Sequence, residues 1–206
     1  MSSNELNQRV AFDPTCPTDV PARVSPDTPS HAHDMSQAAS EQEATSCLGG
    51  AKTVADSSIE IAHTVLYQDI NGVGRLYGGR LMEWIDEAAA IVARRHCGGA
   101  VTTACVDQLQ FRHPAYRNDI VDVVARVTYV GNTSLEVRVD SYVEDVRDGS
   151  RQKINRAFLT LVHVDDAGTP LPIRYKLLLS TDEEKLEYQD ALKRLELRNL
   201  RREEHY

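Results

Sequence analysis

One segment restricts the possible folds of this chain more than any other: residues 78–96 have the pattern of a helix that is apolar around most of its circumference. At about 100° per residue, the polar side chains of Arg80, Glu83, Glu87 and Arg94 fall on one narrow stripe. Leu, Met, Trp, Ile, Val and Ala fill nearly all the other positions. Such a helix must be buried on most sides, and a single sheet curled around it would provide that burial.

Strand patterns flank this helix in the sequence. Residues 59–65 alternate between apolar and polar and predict a first strand. Four more strands are predicted after the helix, near residues 101–111, 120–130, 134–144 and 152–164. Turn signals at Gly131-Asn132 and Asp148-Gly149 separate the last three. The order of one strand, a long helix and four antiparallel strands predicts an α+β fold.

The side chains of these strands predict which face is buried. In the strand at 120–130 one face is expected to hold Val121, Val123, Ala125, Val127 and Tyr129. In the next strand, Leu and Val residues lie opposite the charged residues Glu136, Arg138 and Asp140. The strand at 152–164 is apolar on both faces, which predicts a central position in the sheet.

Composition divides the chain near residue 58. Residues 1–58 hold five of the eight prolines and one of the twelve aromatic residues, and they carry 3 basic against 8 acidic residues. Such a segment buries too little apolar surface to offset its ordering entropy, so we predict a disordered tail over 1–58. We predict a folded domain over 59–173 and a helical extension over 174–206. That helix begins with a capping box of Thr181 and Glu184, and its charged end, 198–206, is expected to fray.

Charge and composition exclude several classes of protein. The formal net charge of −8 argues against a general nucleic-acid-binding protein. The sequence contains no apolar run long enough to span a membrane, no secretory signal pattern and no Cys/His spacing of a zinc site. We therefore predict a cytoplasmic protein that binds no nucleic acid, inserts into no membrane and holds no metal.

Asp86 is the unusual residue of the long helix. It lies about 60° away from the polar stripe, beside small or apolar residues such as Met82 and Ala90. A carboxylate at the edge of a dry surface is costly to desolvate unless it is paired, and such groups are candidates for general bases. The alternative is an ordinary helix carboxylate whose edge reaches water.

A glycine-rich loop precedes the same helix. It runs from Asn71-Gly72-Val73-Gly74 to Gly78-Gly79 at the helix start. A helix N-terminus presents unpaired N–H groups, and glycines let a carbonyl oxygen come close to them, so an oxyanion site for acyl transfer is one interpretation. The alternative is a set of plain turns. The loop matches neither the dinucleotide fingerprint nor a phosphate-binding loop.

The run Asp69–Ala88 resembles the acyl-CoA thioesterases of the hotdog fold, particularly the cytosolic acyl-CoA hydrolases and their bacterial relatives. Residues 101–107, 111–114 and 127–137 resemble the same family, and the resemblance covers roughly 59–195. It implies a sheet wrapped around one long helix, subunits that pair through the sheet, and dimers that often assemble into trimers of dimers. It also implies an active site between two subunits.

The resemblance assigns roles to three residues. Asn71 of one subunit would face Asp86 of its partner, and the thioester carbonyl would point at backbone N–H groups, with Gly79 the best candidate. Asp86 would activate water as a general base or attack directly, and both remain open. Asn71 would hold the water or the carbonyl. The reaction implied is acyl-CoA plus water to fatty acid plus CoA, with no metal or redox cofactor.

The sequence departs from the family pattern at two positions. Gly72 stands where relatives commonly have His, and Tyr77 stands where they commonly have Phe or His. Tyr77 is expected to narrow or rehydrate the acyl pocket, which leaves the range of substrates open.

CoA is a polyanion, so an acidic protein must hold it through a local basic patch. The candidates are Arg112, His113, Arg117, Arg151, Lys153 and Arg156. The turn formed by Asn132, Thr133 and Ser134 offers N–H and hydroxyl groups for a phosphate or the pantetheine arm. For each of these residues a solvated surface role is the alternative.

Two other functions compete with hydrolysis. A hydroxyacyl-thioester dehydratase of the same fold usually needs a catalytic His beside the helix carboxylate, and residues 69–95 contain none. A non-catalytic acyl-CoA binder or sensor stays open from the sequence.

Overall fold

The computed structural model describes residues 50–204. Its elements are β1 (Ala51–Thr53), α1 (Val54–Ser57), β2 (Ile59–Thr64), α2 (Gly78–Cys97), β3 (Ala100–Phe111), β4 (Ile120–Val130), β5 (Ser134–Glu144), β6 (Arg151–Val164), β7 (Lys176–Leu178) and α3 (Asp182–Glu203). The long helix and the five strands from β2 to β6 thus lie within one residue of the predicted bounds. In this part of the chain, no helix is long and apolar enough to cross a membrane.

The five strands form one antiparallel sheet in the order β2-β4-β5-β6-β3. Helix α2 packs against one face of this sheet, and Ile85, Ala88, Ala89 and Val92 are buried in the shared core. The α+β class and the sheet around one long helix are confirmed. The predicted central position of β6 is wrong, because β5 occupies the centre. β6 is still an interior strand, because β5 and β3 pair with its two edges. Its two faces are apolar because α2 packs on one of them, while on the other the ring of Phe158 lies under Arg194 of the C-terminal helix.

The predicted face of Tyr129 is also wrong. The register of β4 on β5 shifts between Val127 and Tyr129, so Tyr129 pairs with Glu136 while Val130 takes the position opposite Leu135. A bulge of this kind inserts one residue and exchanges the two faces beyond it. Tyr129 consequently lies on the outer face, where its ring is 5.5 Å from that of Tyr188 on α3.

Buried ion pairs attach helix α3 to the outer face of the sheet, which is the face opposite α2. The buried carboxylate of Glu136 on β5 forms ion pairs with the guanidinium groups of Arg194 (2.8 Å) and Arg198 (3.1 Å). Arg198 also contacts the buried carboxylate of Asp107 on β3 at 2.5 Å. The capping box of Thr181 and Glu184 is present as predicted. The expected fraying from residue 198 is wrong at Arg198, because its two ion pairs hold this end of α3 on the sheet.

The structure also moves the boundary that was predicted at residue 58. Strand β1 pairs in parallel with β7, and α1 follows it with its own capping box of Thr53 and Asp56. The ammonium of Lys52 donates to the carbonyl oxygens of Arg95 (2.5 Å) and His96 (3.0 Å) at the end of α2. Composition did not indicate that residues 51–57 are ordered, because this segment is anchored by polar contacts with the end of α2. Residues 1–49 lie outside the described residues, so their disorder stays a prediction.

Candidate active site

The loop before α2 is built around the side chain of Asn71. Its Oδ1 accepts hydrogen bonds from the backbone N–H groups of Val73 (3.1 Å) and Arg75 (3.2 Å), and its own N–H donates to the carbonyl of Arg75 (2.7 Å). The amide NH₂ of Asn71 forms no hydrogen bond with any residue between 50 and 204. The group that Asn71 can offer to a ligand is therefore a donor, its side-chain NH₂.

The start of α2 presents unpaired donors, as predicted. The first hydrogen bond of the helix runs from Leu81 N–H to the carbonyl of Tyr77 at 3.1 Å. The N–H groups of Gly78 and Gly79 precede it and have no acceptor within the helix. A Cβ placed on Gly79 would lie 2.5 Å from the ring of Tyr77, and one placed on Gly78 would lie 3.3 Å from the ring of Phe111. Glycine is required at Gly79 as long as this ring keeps its position.

Asp86 lies two turns further along α2, and its side chain is exposed in the single chain. Its Oδ1 accepts a 2.7 Å hydrogen bond from the hydroxyl of Thr103 on β3. Thr103 lies in one of the segments that resemble the family, but the sequence assigns it no role. The only signal in the sequence was that segment itself, because no local pattern connects a strand hydroxyl to a helix residue 17 positions earlier.

One chain does not bring Asn71 and Asp86 together. The eight steps from Gly78 to Asp86 correspond to about 12 Å along the helix axis, at about 1.5 Å per residue. A cleft of about 320 Å³ contains Asn71 and Gly78 at the helix start, and Asp86 does not line it. The two predicted catalytic side chains thus lie at separate places on the surface of the chain.

The cleft beside Asn71 is basic. Arg75, Arg112 and His113 line it, and no carboxylate does. None of these three side chains is ion-paired with another described residue. Arg112 and His113 were predicted as CoA-binding residues, whereas Arg75 was missed because its position in the loop carried no recognisable pattern.

The other predicted CoA-binding residues lie elsewhere. Arg117 is exposed in the segment after β3. Lys153 is paired with Asp140 at 3.2 Å on the outer face, and Arg156 and Arg151 are likewise paired with carboxylates. The turn of Asn132, Thr133 and Ser134 joins β4 to β5, and β5 pairs there with the end of β6. The predicted residues therefore form separate groups on one chain.

The chain is similar to known acyl-CoA thioester hydrolases. Residues 73–150 match the family described as the Thioesterase superfamily. The Bacillus subtilis protein called uncharacterized acyl-CoA thioester hydrolase YkhA is 34% identical over 147 residues, which are 71% of this chain and 85% of that protein. The cytosolic acyl coenzyme A thioester hydrolase of Rattus norvegicus is 32% identical over 68% of this chain. The matched part is 37% of the rat protein, so this chain spans well under half of its length.

Solved structures are similar over the same region. The acyl-CoA hydrolase of Staphylococcus aureus, in complex with butyryl-CoA, CoA and CoA disulfide, is 36% identical with a TM-score of 0.70. The match covers 75% of this chain and 93% of that one. An apo-hexameric acyl-CoA thioesterase is 35% identical with a TM-score of 0.70, and the match covers 74% of this chain and 97% of that one.

The Staphylococcus aureus enzyme has also been solved with alanine in place of an asparagine, an aspartate and a threonine. In that protein the aspartate follows the asparagine by 15 residues, and the threonine follows the aspartate by 17. Asn71, Asp86 and Thr103 have the same two spacings.

Proposed function

This chain belongs to the hotdog-fold acyl-CoA thioesterase family, and we propose that it hydrolyses acyl-CoA thioesters to a free carboxylic acid and CoA. The observation that carries the proposal is the hydrogen bond from Thr103 to Asp86, together with a side-chain NH₂ on Asn71 that no residue between 50 and 204 uses. These are the three residue types, at the same spacings, that were replaced in the Staphylococcus aureus hydrolase.

We propose that the active site is completed by a second copy of the chain. β3 is an edge strand of 12 residues with exposed apolar side chains at Val106 and Phe111, and such an edge readily pairs with another strand. Antiparallel pairing of two β3 strands about an axis near Asp107 would place Thr103 of one copy opposite Phe111 of the other. Phe111 lies beside Gly78 and the cleft with Asn71, so this pairing would carry Asn71 toward the partner's Asp86.

The hexameric relative supports further assembly of such dimers. We propose a homo-oligomer built from dimers, with trimers of dimers as the expected larger form. The similarity to cytosolic hydrolases favours a cytoplasmic location.

The chemistry follows from the positions of these groups. The thioester carbonyl oxygen would accept hydrogen bonds from Gly79 N–H at the positive end of α2 and from the NH₂ of Asn71. The hydroxyl of Thr103 is hydrogen-bonded to Oδ1 of Asp86, so Oδ2 is the oxygen left for catalysis. Oδ2 would take a proton from a water molecule as that water attacks the carbonyl carbon. The tetrahedral intermediate would then collapse with cleavage of its C–S bond, and the leaving CoA sulfur would take the proton back from Asp86. This leaves the free acid and restores the carboxylate. No step requires a metal or a redox cofactor.

We propose that the CoA phosphates and pantetheine arm interact with the cleft residues Arg112 and His113 and with the turn Asn132, Thr133 and Ser134. The Arg112 guanidinium, which is paired with no described carboxylate, and the lack of carboxylates along the cleft support the first group. Arg117 is an exposed cation close to this group in the chain. Lys153 is the weakest candidate, because Asp140 already balances its charge.

The test is a panel of acyl-CoAs of increasing chain length, with free thiol measured over time for the wild type, Asp86→Asn and Asn71→Ala. We expect the wild type to release CoA and both variants to lose most of the rate. A wild type that binds acyl-CoA without releasing thiol would instead establish the sensor. His113 lines the cleft, so 3-hydroxybutyryl-CoA is included; formation of the enoyl thioester without free thiol would establish the dehydratase.

A further inference from the structure

Tyr77 is an exposed aromatic residue that is nevertheless held firmly at the start of α2. Its N–H donates to the carbonyl of Asp69 at 2.7 Å, and its own carbonyl accepts from Leu81 N–H at 3.1 Å. The side chain makes no capping hydrogen bond, and the residue is 58% exposed. The ring therefore contributes little to the core, although the backbone that carries it is fixed.

This ring lies directly against Gly79. Its Cε1 and Cζ atoms are 2.5 and 3.0 Å from the position that a Cβ on Gly79 would take. The half-exposed ring of Phe111 lies against the preceding residue, Gly78. The first two residues of α2, whose N–H groups have no acceptor within the helix, thus each lie beside an aromatic ring that is outside the buried core.

The proposed function places a substrate between these rings. If the thioester oxygen meets Gly79 N–H, the carbonyl carbon and the first carbon of the acyl chain must lie within a few ångströms of Gly79, and hence beside the ring of Tyr77. A flat ring leaves room for a methylene group, but a methyl branch on that carbon would collide with the ring or displace it.

We propose that Tyr77 is a specificity-determining residue, whose ring selects acyl groups that are unbranched at the carbon next to the thioester. The inference rests on the proposed function and adds the class of acyl group that the site accepts. The effect belongs to the ring and not to the hydroxyl, because the ring carbons are the atoms that cover Gly79.

The test compares kcat/KM for butyryl-CoA and isobutyryl-CoA, two isomers that differ only in branching. We expect kcat/KM of the wild type to be about tenfold or more higher for butyryl-CoA, because one methyl group in an apolar pocket changes kcat/KM by at least this factor. Tyr77→Ala should reduce this preference at least about fivefold, and Tyr77→Phe should retain it. Tyr67→Ala is the matched control, because Tyr67 is 78% exposed on the 3-10 turn before the loop. Thermal unfolding verifies that each variant is folded.

A preference in Tyr77→Ala that stays within about twofold of the wild type would overturn the inference, as would an equal loss in Tyr77→Phe. A wild type without any preference would overturn it as well. These results are distinct from failure of the proposed function, in which the wild type releases CoA from no acyl-CoA of the chain-length panel.

Discussion

The hydroxyl of Thr103 donates a 2.7 Å hydrogen bond to the carboxylate of Asp86, and so ties an edge strand of the sheet to the central helix. This contact orients the carboxylate in a chain that leaves the side chain of Asp86 otherwise exposed. It makes Thr103 a positioning residue, whose effect should appear in turnover and not in binding.

Replacing Thr103 by Val removes the hydroxyl and keeps the shape of the side chain. We expect kcat to fall by about 10- to 100-fold with little change in KM, because a misaligned base loses part of the advantage of general base catalysis. Thr103→Ser keeps the donor and should restore most of the rate. Steady-state kinetics of the three proteins measure both constants, and an unchanged kcat in Thr103→Val would contradict the role.

The side chains of Arg75 and Arg112 in the cleft should bind the phosphates of CoA. Arg112→Ala and Arg75→Ala should raise KM for acyl-CoA, and the increase should shrink as salt is added, because exposed charges are screened. With an acyl-pantetheine substrate, which lacks the nucleotide and its phosphates, both variants should match the wild type. Arg147→Ala is the control, since Arg147 is exposed and paired with Asp145. An equal effect on both substrates would show that these residues do not bind phosphate.

The attachment of α3 should depend on Arg198. Removing this side chain leaves the carboxylates of Glu136 and Asp107 buried without one of their partners, so Arg198→Ala should destabilise the protein by about 3 kcal/mol. Lys193→Ala removes an exposed ion pair on the same helix and should leave stability unchanged within error. Denaturant unfolding measures both variants, and equal stabilities would mean that the buried pairs do not secure the helix.

Stability should fall in mild acid because of a buried histidine. The ring of His96 lies between the hydroxyl of Ser57 (3.2 Å) and the carbonyl of Tyr175 (3.1 Å), and burial lowers its pKa below the ordinary value, against the opposing effect of the bond to Tyr175. Lys52 and Asp56 are the charged groups that act on it. With a lowered pKa, the unfolded chain binds more protons than the folded one, so the stabilisation is complete above about pH 6.5 and is lost below it.

The measurement is the free energy of unfolding between about pH 8 and pH 5, for the wild type and His96→Gln. Glutamine can keep both hydrogen bonds and does not titrate, so the variant should show a shallower decline. Burial lowers the pKa of His63 too, so some dependence on pH should remain. His113→Gln changes an exposed histidine and serves as the control. Identical slopes for the wild type and His96→Gln would contradict the prediction.

The sequence was sufficient for features that depend on neighbours along the chain. Apolar periodicity located α2 and five strands, and the pair Thr181 and Glu184 located the start of α3. Asn71 and Gly79 could be proposed as site residues from a local signal as well, the glycine-rich run that resembles the family, and their roles stay predictions.

Contacts between distant segments could not be predicted in the same way. The bond from Thr103 to Asp86, the burial of Arg198 and the anchoring of β1 by Lys52 all join segments that only the fold brings together. The bulge beside Tyr129 shifts the register of β4 on β5 by one residue, and the alternation of apolar and polar residues does not predict this shift.

The central claim is that Asn71 of one subunit works with Asp86 of another, and mixing two inactive variants tests it most directly. Asn71→Ala and Asp86→Asn are purified separately, combined under conditions that allow subunits to exchange, and assayed for thiol release from acyl-CoA. Half of randomly formed dimers are mixed and each contains one complete site of two, so activity should rise to about a quarter of the wild type. A mixture that exchanges subunits but stays as inactive as its parents would contradict a shared site.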